Sequence, residues 1–135
     1  LCDKVAYASR ELGKEGIKLV LENNSRLDPI HYTIDEIELM FAKNDNIELL
    51  LDIAHIDSYE HLKEIVRIKK PSILHIADKH FSVAHEHLPV GKGEINFQMI
   101  FKEILYDFDG KIIFEIDDED EIIRSKKIIE SIVNG

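Results

Sequence analysis

Four acidic or imidazole side chains each follow a short apolar run of the sequence, and together they could bind a divalent metal ion. They are Glu22, Asp52, His75 and Glu115. If the runs are parallel strands, their carboxyl ends lie at one edge of a sheet and aim these side chains at a shared point. Crowded carboxylates repel one another, and a divalent cation is the usual remedy. One imidazole with several oxygens suits Mn²⁺, Mg²⁺, Co²⁺ or Zn²⁺.

Each of these four residues also has an ordinary structural explanation. An acid after a strand is commonly a helix cap or a solvated loop residue, and a single histidine there is commonly a hydrogen-bonded structural residue. The recurrence on four successive runs favours a shared site. The pattern alone leaves both explanations open.

A second set of histidines lies close to these positions in the sequence. His55 comes three residues after Asp52, and His85 and His87 form a His-x-His pair within a long irregular stretch. Alternate residues of an extended segment point the same way, so the pair could serve one site or lie exposed on a loop. We expect His31 and His61 to be surface or capping residues, and the pattern assigns no role to His80.

The elements that must position these residues alternate between strand and helix. Short runs rich in Ile and Leu at residues 17–21, 47–51, 72–74 and 111–114 predict buried strands. Helical spacing predicts a helix at the start of the chain and one after each strand. Their start signals are the capping box Thr33 to Glu36, the similar segment 57–60, and Asn96. Strict alternation predicts an α/β fold with a parallel sheet.

Composition narrows the class of protein. The 135 residues fit a single domain, 1–135, and 44% apolar residues are enough for a core. With 27 acidic against 17 basic residues, the net charge of −10 argues against general affinity for nucleic acid or an anionic membrane. No apolar run is long enough to suggest a membrane span, and no signal-peptide pattern indicates export. The single cysteine, Cys2, fits a reducing cytoplasm.

Five stretches, taken in order, carry a family resemblance: LVLEN, LLDIAH, LHIAD, HEHLPVGKGEINF and FDGKIIFE. Over essentially its whole length the chain resembles the C-terminal half of the xylose-isomerase-like TIM barrels. These are sugar and sugar-phosphate isomerases and epimerases, related to the metal-dependent abasic-site endonucleases. The resemblance implies strands five to eight of a barrel. Because a full barrel has about 250 residues and the sequence begins with leucine, we expect a fragment of a longer chain.

The resemblance also implies roles for individual residues. Glu22, Asp52, His75 and Glu115 would ligate one divalent metal, and Glu22 and Glu115 would also move protons. The substrate-binding residues would be His55, His85, His87 and Arg26. Asp78 matches an acid that is common after the strand-seven histidine, and we expect it to orient a ligand. The implied reaction is isomerisation or epimerisation of a ketose or sugar phosphate through an enediolate, and these two reactions use the same residues. Dehydration is also known in this superfamily and stays open.

Two other functions stay open at this point. A phosphodiester hydrolase of the abasic-site endonuclease type would use His55, His85 and His87 for a further zinc, although the position of His85 is an aspartate in those enzymes. A barrel remnant that serves only in binding or assembly is the third possibility. Retention of all four expected ligands makes this last one the weakest.

A half-barrel needs something to cover its inner face. Four strands leave two open edges, and we expect the concave face to carry apolar residues, namely Leu19, Leu21, Leu49 and Ile113. The predicted partners are therefore a small sugar or sugar phosphate and either an N-terminal half-barrel or a second copy of the chain.

Overall fold

The computed structural model describes all of residues 1–135 as five helices alternating with four strands. In chain order they are α1 (Cys2–Lys14), β1 (Val20–Glu22), α2 (Ile34–Ala42), β2 (Glu48–Asp52), α3 (Tyr59–Ile68), β3 (Pro71–Ile76), α4 (Phe97–Met99), β4 (Lys111–Phe114) and α5 (Glu119–Asn134). A 3₁₀ helix, Ile53–His55, follows β2, and a π-helical turn, Ile100–Ile104, extends α4. None of the helices has the length and apolar character needed to cross a membrane.

The four strands form one parallel sheet in the order β1-β2-β3-β4. This sequential order confirms the predicted α/β architecture of strand and helix repeats. The start of β1 lies three residues from its predicted position, those of β2 and β3 lie one residue away, and that of β4 agrees, and each strand ends at or next to its polar residue. The carboxyl ends of all four strands therefore lie at the same edge of the sheet.

One face of the sheet packs against the helices and forms the core. Leu49 and Leu51 of β2 are fully buried there, together with Leu74 and Ile76 of β3. Side chains alternate between the two faces of a strand, so Leu50 and Asp52 point to the opposite face. That opposite face is the open one.

The prediction for the apolar residues of the open face was wrong for three of four. Leu49 is a core residue, and Leu19 and Leu21 pack against the same core under the helices. Only Ile113 lies on the open face, where 46% of it is exposed. The physical reason is the two-residue period of a strand, because a residue an odd number of positions from the polar strand end must point to the opposite face.

Helix starts follow the predicted chemistry. The Thr33 hydroxyl accepts a hydrogen bond from the Glu36 N–H at 3.3 Å, and the Glu36 carboxylate accepts one from the Thr33 N–H at 3.1 Å. This confirms the capping box at the start of α2. Ser58 caps α3 with its hydroxyl alone, which accepts from the His61 N–H at 3.1 Å. The helix predicted to run from about Asn96 starts there, and the Asn96 side chain caps it by accepting from the Met99 N–H at 3.0 Å.

The helix that begins after Asn96 differs from the prediction in its later part. It changes to a π-helical turn, in which the Leu105 N–H donates to the Ile100 carbonyl at 2.8 Å. The wider turn keeps Ile100, Phe101 and Leu105 all in the core. The apolar spacing predicted this helix but not its widening.

His31 is not the surface or capping residue that the sequence suggested. It is only 6% exposed, its backbone is left-handed with φ 59°, and both ring nitrogens lack hydrogen-bond partners. Its ring packs against Phe41, and burial lowers the pKa of the imidazole. His61 does make a hydrogen bond near the start of α3, where its Nδ1 accepts from the Asp57 N–H at 3.2 Å.

Candidate functional site

The four residues predicted at the strand ends lie together. Glu22 is the last residue of β1, Asp52 is the last residue of β2, His75 is the penultimate residue of β3, and Glu115 directly follows β4. One ligand atom from each lies within 4.8 Å of the corresponding atoms of the other three. The strand register explains this, because Asp52 and His75 are paired neighbours across the sheet. The ends of four parallel strands thus bring three carboxylates and one imidazole close together.

Buried polar atoms of this group lack hydrogen-bond partners. The Nδ1 of His75 is 2.9 Å from Glu115 Oε1 and 3.3 Å from Glu22 Oε1, yet it forms no hydrogen bond. The Oδ2 of Asp52 is likewise buried and unpaired. Buried polar atoms in native proteins nearly always have partners, so a bound ion is a ready explanation. The donor set of three carboxylates and one imidazole fits a divalent cation.

Electrostatics point the same way. Burial is the main cause that raises the pKa of Asp52 to about 8, and the nearby carboxylates of Glu22 and Glu115 contribute to the same rise. The hydrogen bond that Asp52 Oδ1 accepts from the Ala54 N–H at 2.7 Å acts in the opposite direction. Without a cation, Asp52 therefore keeps a proton at neutral pH. A bound divalent cation would stabilise the ionised carboxylate and so would displace that proton.

Three histidines form a second group beside the first. Ligand atoms of His55, His85 and His87 lie within 4.8 Å of one another. Asp52 links the two groups, because its Oδ2 is 3.4 Å from His55 Nε2 and 3.7 Å from His87 Nε2. The Nδ1 of His87 is 3.5 Å from Glu115 Oε2. Burial lowers the pKa of His87, which favours the neutral ring, and a neutral ring can accept a hydrogen bond.

The long loop that carries His85 and His87 is held by Asp78. Its carboxylate accepts backbone hydrogen bonds from Lys79 at 2.8 Å, Ile95 at 3.0 Å and Gly91 at 2.9 Å. Its own backbone forms an antiparallel bridge with Leu88. Leu88 directly follows His87, so Asp78 positions that histidine through the loop backbone rather than by touching a ligand side chain.

Arg26, also predicted at the site, makes its contacts at the rim. Its guanidinium donates to the Ser82 carbonyl at 3.1 Å and lies 4.0 Å from Asp57 Oδ1. It thereby ties the loop after β1 to the long loop, and it contacts none of the four strand-end residues. Its neighbour Asp28 accepts from Ser25, and these hydrogen bonds lower the pKa of Asp28.

Two buried residues near the site were missed from the sequence. Asn23 is fully buried directly after Glu22, and its side chain binds the backbone of Asp52. Lys79 is 1% exposed and donates to the Ile56 carbonyl at 3.1 Å, and burial lowers the pKa of its amine. The polar residue directly after a strand end was a usable signal for Asn23. Nothing local marks a lysine as buried.

A sizeable cavity of the molecule lies away from these residues. It measures about 700 Å³ and lies at the amino ends of β1 and β2, where Arg10, Lys18 and Glu48 are among its lining residues. None of the candidate ligands borders it. The convergence of unpaired polar atoms, not the size of this cavity, marks the candidate site.

Comparison with known proteins agrees with the observed parallel sheet of strand and helix repeats. A family model described as "Xylose isomerase-like TIM barrel" matches residues 1–132. The chain belongs to this family. Its parallel four-stranded sheet is half of the family's barrel, as predicted from the sequence.

Two solved structures resemble this member of the family. A D-tagatose 3-epimerase-like protein superposes with a TM-score of 0.78 at 25% identity, over 98% of this chain and 54% of that chain. The probable 3-DHS dehydratase AsbF, involved in petrobactin synthesis in Bacillus anthracis, superposes with a TM-score of 0.72 at 13% identity, over 96% and 54%. The second likeness shows the fold alone. No curated protein matches the sequence. The chain spans about half the length of these two structures.

Proposed function

We propose that the protein containing this chain is a metal-dependent isomerase or epimerase of a ketose or sugar phosphate. The observation that carries the proposal is the convergence of Glu22, Asp52, His75 and Glu115 with buried, unpaired ligand atoms. The likeness to a D-tagatose 3-epimerase-like protein supports the substrate class.

These four residues would hold one divalent cation, Mn²⁺, Mg²⁺, Co²⁺ or Zn²⁺. When bound, it would act as a Lewis acid that polarises the substrate carbonyl and offsets the negative charge developing on its oxygens. Asp52 and His75 come from the two central strands, where backbone pairing on both sides fixes their positions. Their proposed task is to bind the metal ion and hold it in place.

Glu22 and Glu115 are suited to proton transfer. They lie at the ends of the two outer strands, on either side of His75, and each carboxylate is about one-third exposed. One carboxylate would take the proton from the carbon next to the carbonyl, which leaves an enediolate. The other, protonated beforehand, would return a proton to the opposite face or to the neighbouring carbon.

The substrate-binding residues remain His55, His87, His85 and Arg26. His55 and His87 are the inner pair, since both approach Asp52. His85 is exposed, and Arg26 holds the two loops together at the rim. Asp78 supports this set by fixing the loop that carries His85 and His87.

The open face of the sheet requires a complement. We propose that an N-terminal half-barrel of a longer chain, or a second copy of this one, covers it. The unpaired edges of β1 and β4 and the exposed Ile113 support this proposal. The single free cysteine supports a cytoplasmic location for the enzyme.

A deuterium-exchange assay tests the proposed reaction. The protein is incubated in heavy water with divalent metal and a panel of ketoses and ketose phosphates, and deuterium next to the carbonyl is measured. Incorporation that needs both the metal and Glu22 supports the proposal, with Glu22→Gln as the variant. Absence of incorporation across the panel contradicts it.

One observation favours a second candidate, a phosphodiester hydrolase of the abasic-site endonuclease type. The group of His55, His85 and His87 has the proximity required to bind a further metal. The net charge of −10 argues against a nucleic-acid substrate. Metal content separates the two candidates: one ion per chain for the isomerase or epimerase, and two or three for the hydrolase.

A further inference from the structure

Asn23 joins the end of β1 to the end of β2 through its side chain. Its amide nitrogen donates to the Asp52 carbonyl at 3.1 Å, and its amide oxygen accepts from the Asp52 N–H at 2.7 Å. The Asn23 N–H continues the strand ladder by donating to the Leu50 carbonyl at 3.3 Å. The side chain thus takes the place of the next peptide unit in the ladder. The backbone carbonyl of Asn23 is left free of the sheet.

That free carbonyl contacts His55. The Nδ1 of His55 is 2.8 Å from the Asn23 carbonyl oxygen, and the nearest competing acceptor, Glu22 Oε1, is 3.9 Å away. A carbonyl oxygen can only accept a hydrogen bond, so Nδ1 must carry the proton. In the neutral ring the other nitrogen, Nε2, then bears a lone pair. This Nε2 is buried and forms no hydrogen bond, although it lies 3.4 Å from Asp52 Oδ2.

We propose that Asn23 is a positioning residue that fixes His55 as the Nδ1–H tautomer, so that His55 Nε2 accepts a hydrogen bond from a substrate hydroxyl. The inference deepens the proposed function and rests on it for the identity of the ligand. The tautomer itself follows from the contacts of Asn23 and Asp52.

The tautomer restricts what His55 can bind. A lone pair on Nε2 accepts from a hydroxyl group but repels the oxygens of a phosphate, which are acceptors themselves. The part of the substrate next to His55 is therefore a hydroxyl-bearing carbon of the sugar chain. If the substrate carries a phosphate, that group lies elsewhere in the site.

The tautomer can be measured without metal or substrate. In protein labelled with ¹⁵N-histidine, two-bond proton–nitrogen correlations distinguish a protonated from an unprotonated ring nitrogen. We expect an unprotonated Nε2 and a slowly exchanging Nδ1 proton for His55 at pH 7.5. An Nε2–H tautomer, or a doubly protonated ring, overturns the inference.

Two neighbouring asparagines provide a matched pair of variants. Asn23→Ala removes both hydrogen bonds to Asp52, and we expect a mixture of His55 tautomers and a Mn²⁺ dissociation constant raised about 10- to 100-fold. Asn24→Ala removes a hydrogen bond to the Ile30 carbonyl on an exposed loop, and it should change neither quantity. If Asn23→Ala does not fold, Asn23→Asp replaces it, because that side chain still accepts from the Asp52 N–H but no longer donates. An unchanged His55 tautomer and Mn²⁺ affinity in the folded Asn23 variant overturns the positioning role.

Ligand titration tests the hydroxyl contact. We expect the His55 Nε2 resonance to shift on addition of a ketohexose that supports deuterium exchange, and to stay unchanged with inorganic phosphate. A shift with phosphate alone, or no shift with such a ketohexose, overturns the contact. Failure of the proposed function is a separate result, namely no deuterium exchange with any substrate while His55 keeps its tautomer.

Discussion

The Nδ1 of His75 lies 2.9 Å from Glu115 Oε1 without forming a hydrogen bond to it. Two polar atoms at this distance need either a shared proton in good geometry or a cation between their lone pairs. Glu22 approaches the same nitrogen at 3.3 Å from the other side. This arrangement fits the proposed metal site, and the two outer carboxylates are each about one-third exposed.

Glu115→Gln separates proton transfer from metal binding. The substitution keeps the shape of the side chain but removes its charge and its basicity, while three proposed ligands remain. We expect deuterium exchange at the substrate carbon to fall by about 10² to 10⁴-fold, and metal affinity to fall much less. Exchange is followed by mass spectrometry and Mn²⁺ binding by calorimetry.

Glu119→Gln is the control for this prediction. Glu119 lies in the first turn of α5, four residues beyond Glu115, and is exposed. It should retain exchange activity and metal affinity. Normal exchange in Glu115→Gln would assign the proton transfer to another residue.

The raised pKa of Asp52 predicts how stability depends on pH. Between its ordinary value of 3.8 and the folded value of about 8, the folded metal-free protein holds a proton that the unfolded chain has released. The free energy of unfolding therefore decreases as pH rises through this window. The lowered pKa values of His31, His61 and His87 act below pH 6.5. The lowered pKa of Lys79 acts between its folded value and 10.5 and in the opposite direction, so comparison with Asp52→Asn identifies the part of the decline between pH 6.5 and 8 that belongs to Asp52.

Urea unfolding of the metal-free protein at several pH values measures this effect. Asp52→Asn, which resembles the protonated carboxyl, should flatten the decline between pH 6.5 and 8. Saturating Mn²⁺ should also flatten it in the wild type, because the cation replaces the proton. A wild-type stability that rises with pH over this range would contradict the assignment.

Gly93→Ala tests the support of the long loop. A Cβ at this position would lie 2.4 Å from both Asp78 Oδ1 and the Lys79 carbonyl, and both neighbours are buried. We expect a loss of about 1–3 kcal/mol of stability, as is typical for overpacking, together with weaker substrate binding through the displaced His87. Thermal unfolding and the substrate KM measure the two effects.

Gly13→Ala is the matched glycine control. Gly13 lies near the end of α1, and an added Cβ would meet no atom within 4 Å. Because alanine favours a helix, this variant should be as stable as the wild type or slightly more stable. Equal effects of the two substitutions would show that the contact with Asp78 is not what restricts Gly93.

The sequence predicted the strand ends well because their signal is local. A polar residue directly after an apolar run identifies both the strand and its edge, and this sufficed for Glu22, Asp52 and Glu115. The same rule implies that Leu50, two residues before Asp52, faces the open side, and following it would have avoided the error at Leu49.

Other features depend on residues far apart in the chain. Asn23 acts on Asp52 through hydrogen bonds that exist only once β1 and β2 have paired. His31 is buried because Phe41 of α2 covers it, and no local pattern marks a left-handed histidine. The buried Lys79 likewise depends on distant residues, since its amine donates to the Ile56 carbonyl and its own carbonyl accepts from the Glu94 N–H.

His87→Ala distinguishes the two candidate functions. In an isomerase or epimerase, His87 contacts the substrate, so its loss should raise KM several-fold and leave the metal content at one ion per chain. In a hydrolase with a second metal at His55, His85 and His87, the same substitution should lower the metal content. Metal analysis after dialysis and steady-state kinetics provide both measurements. His80→Ala is the control, because His80 contacts Glu86 and belongs neither to the strand-end group nor to the three-histidine group.

A fall in bound metal for His87→Ala but not for His80→Ala, together with cleavage of an abasic-site duplex, would establish the hydrolase instead.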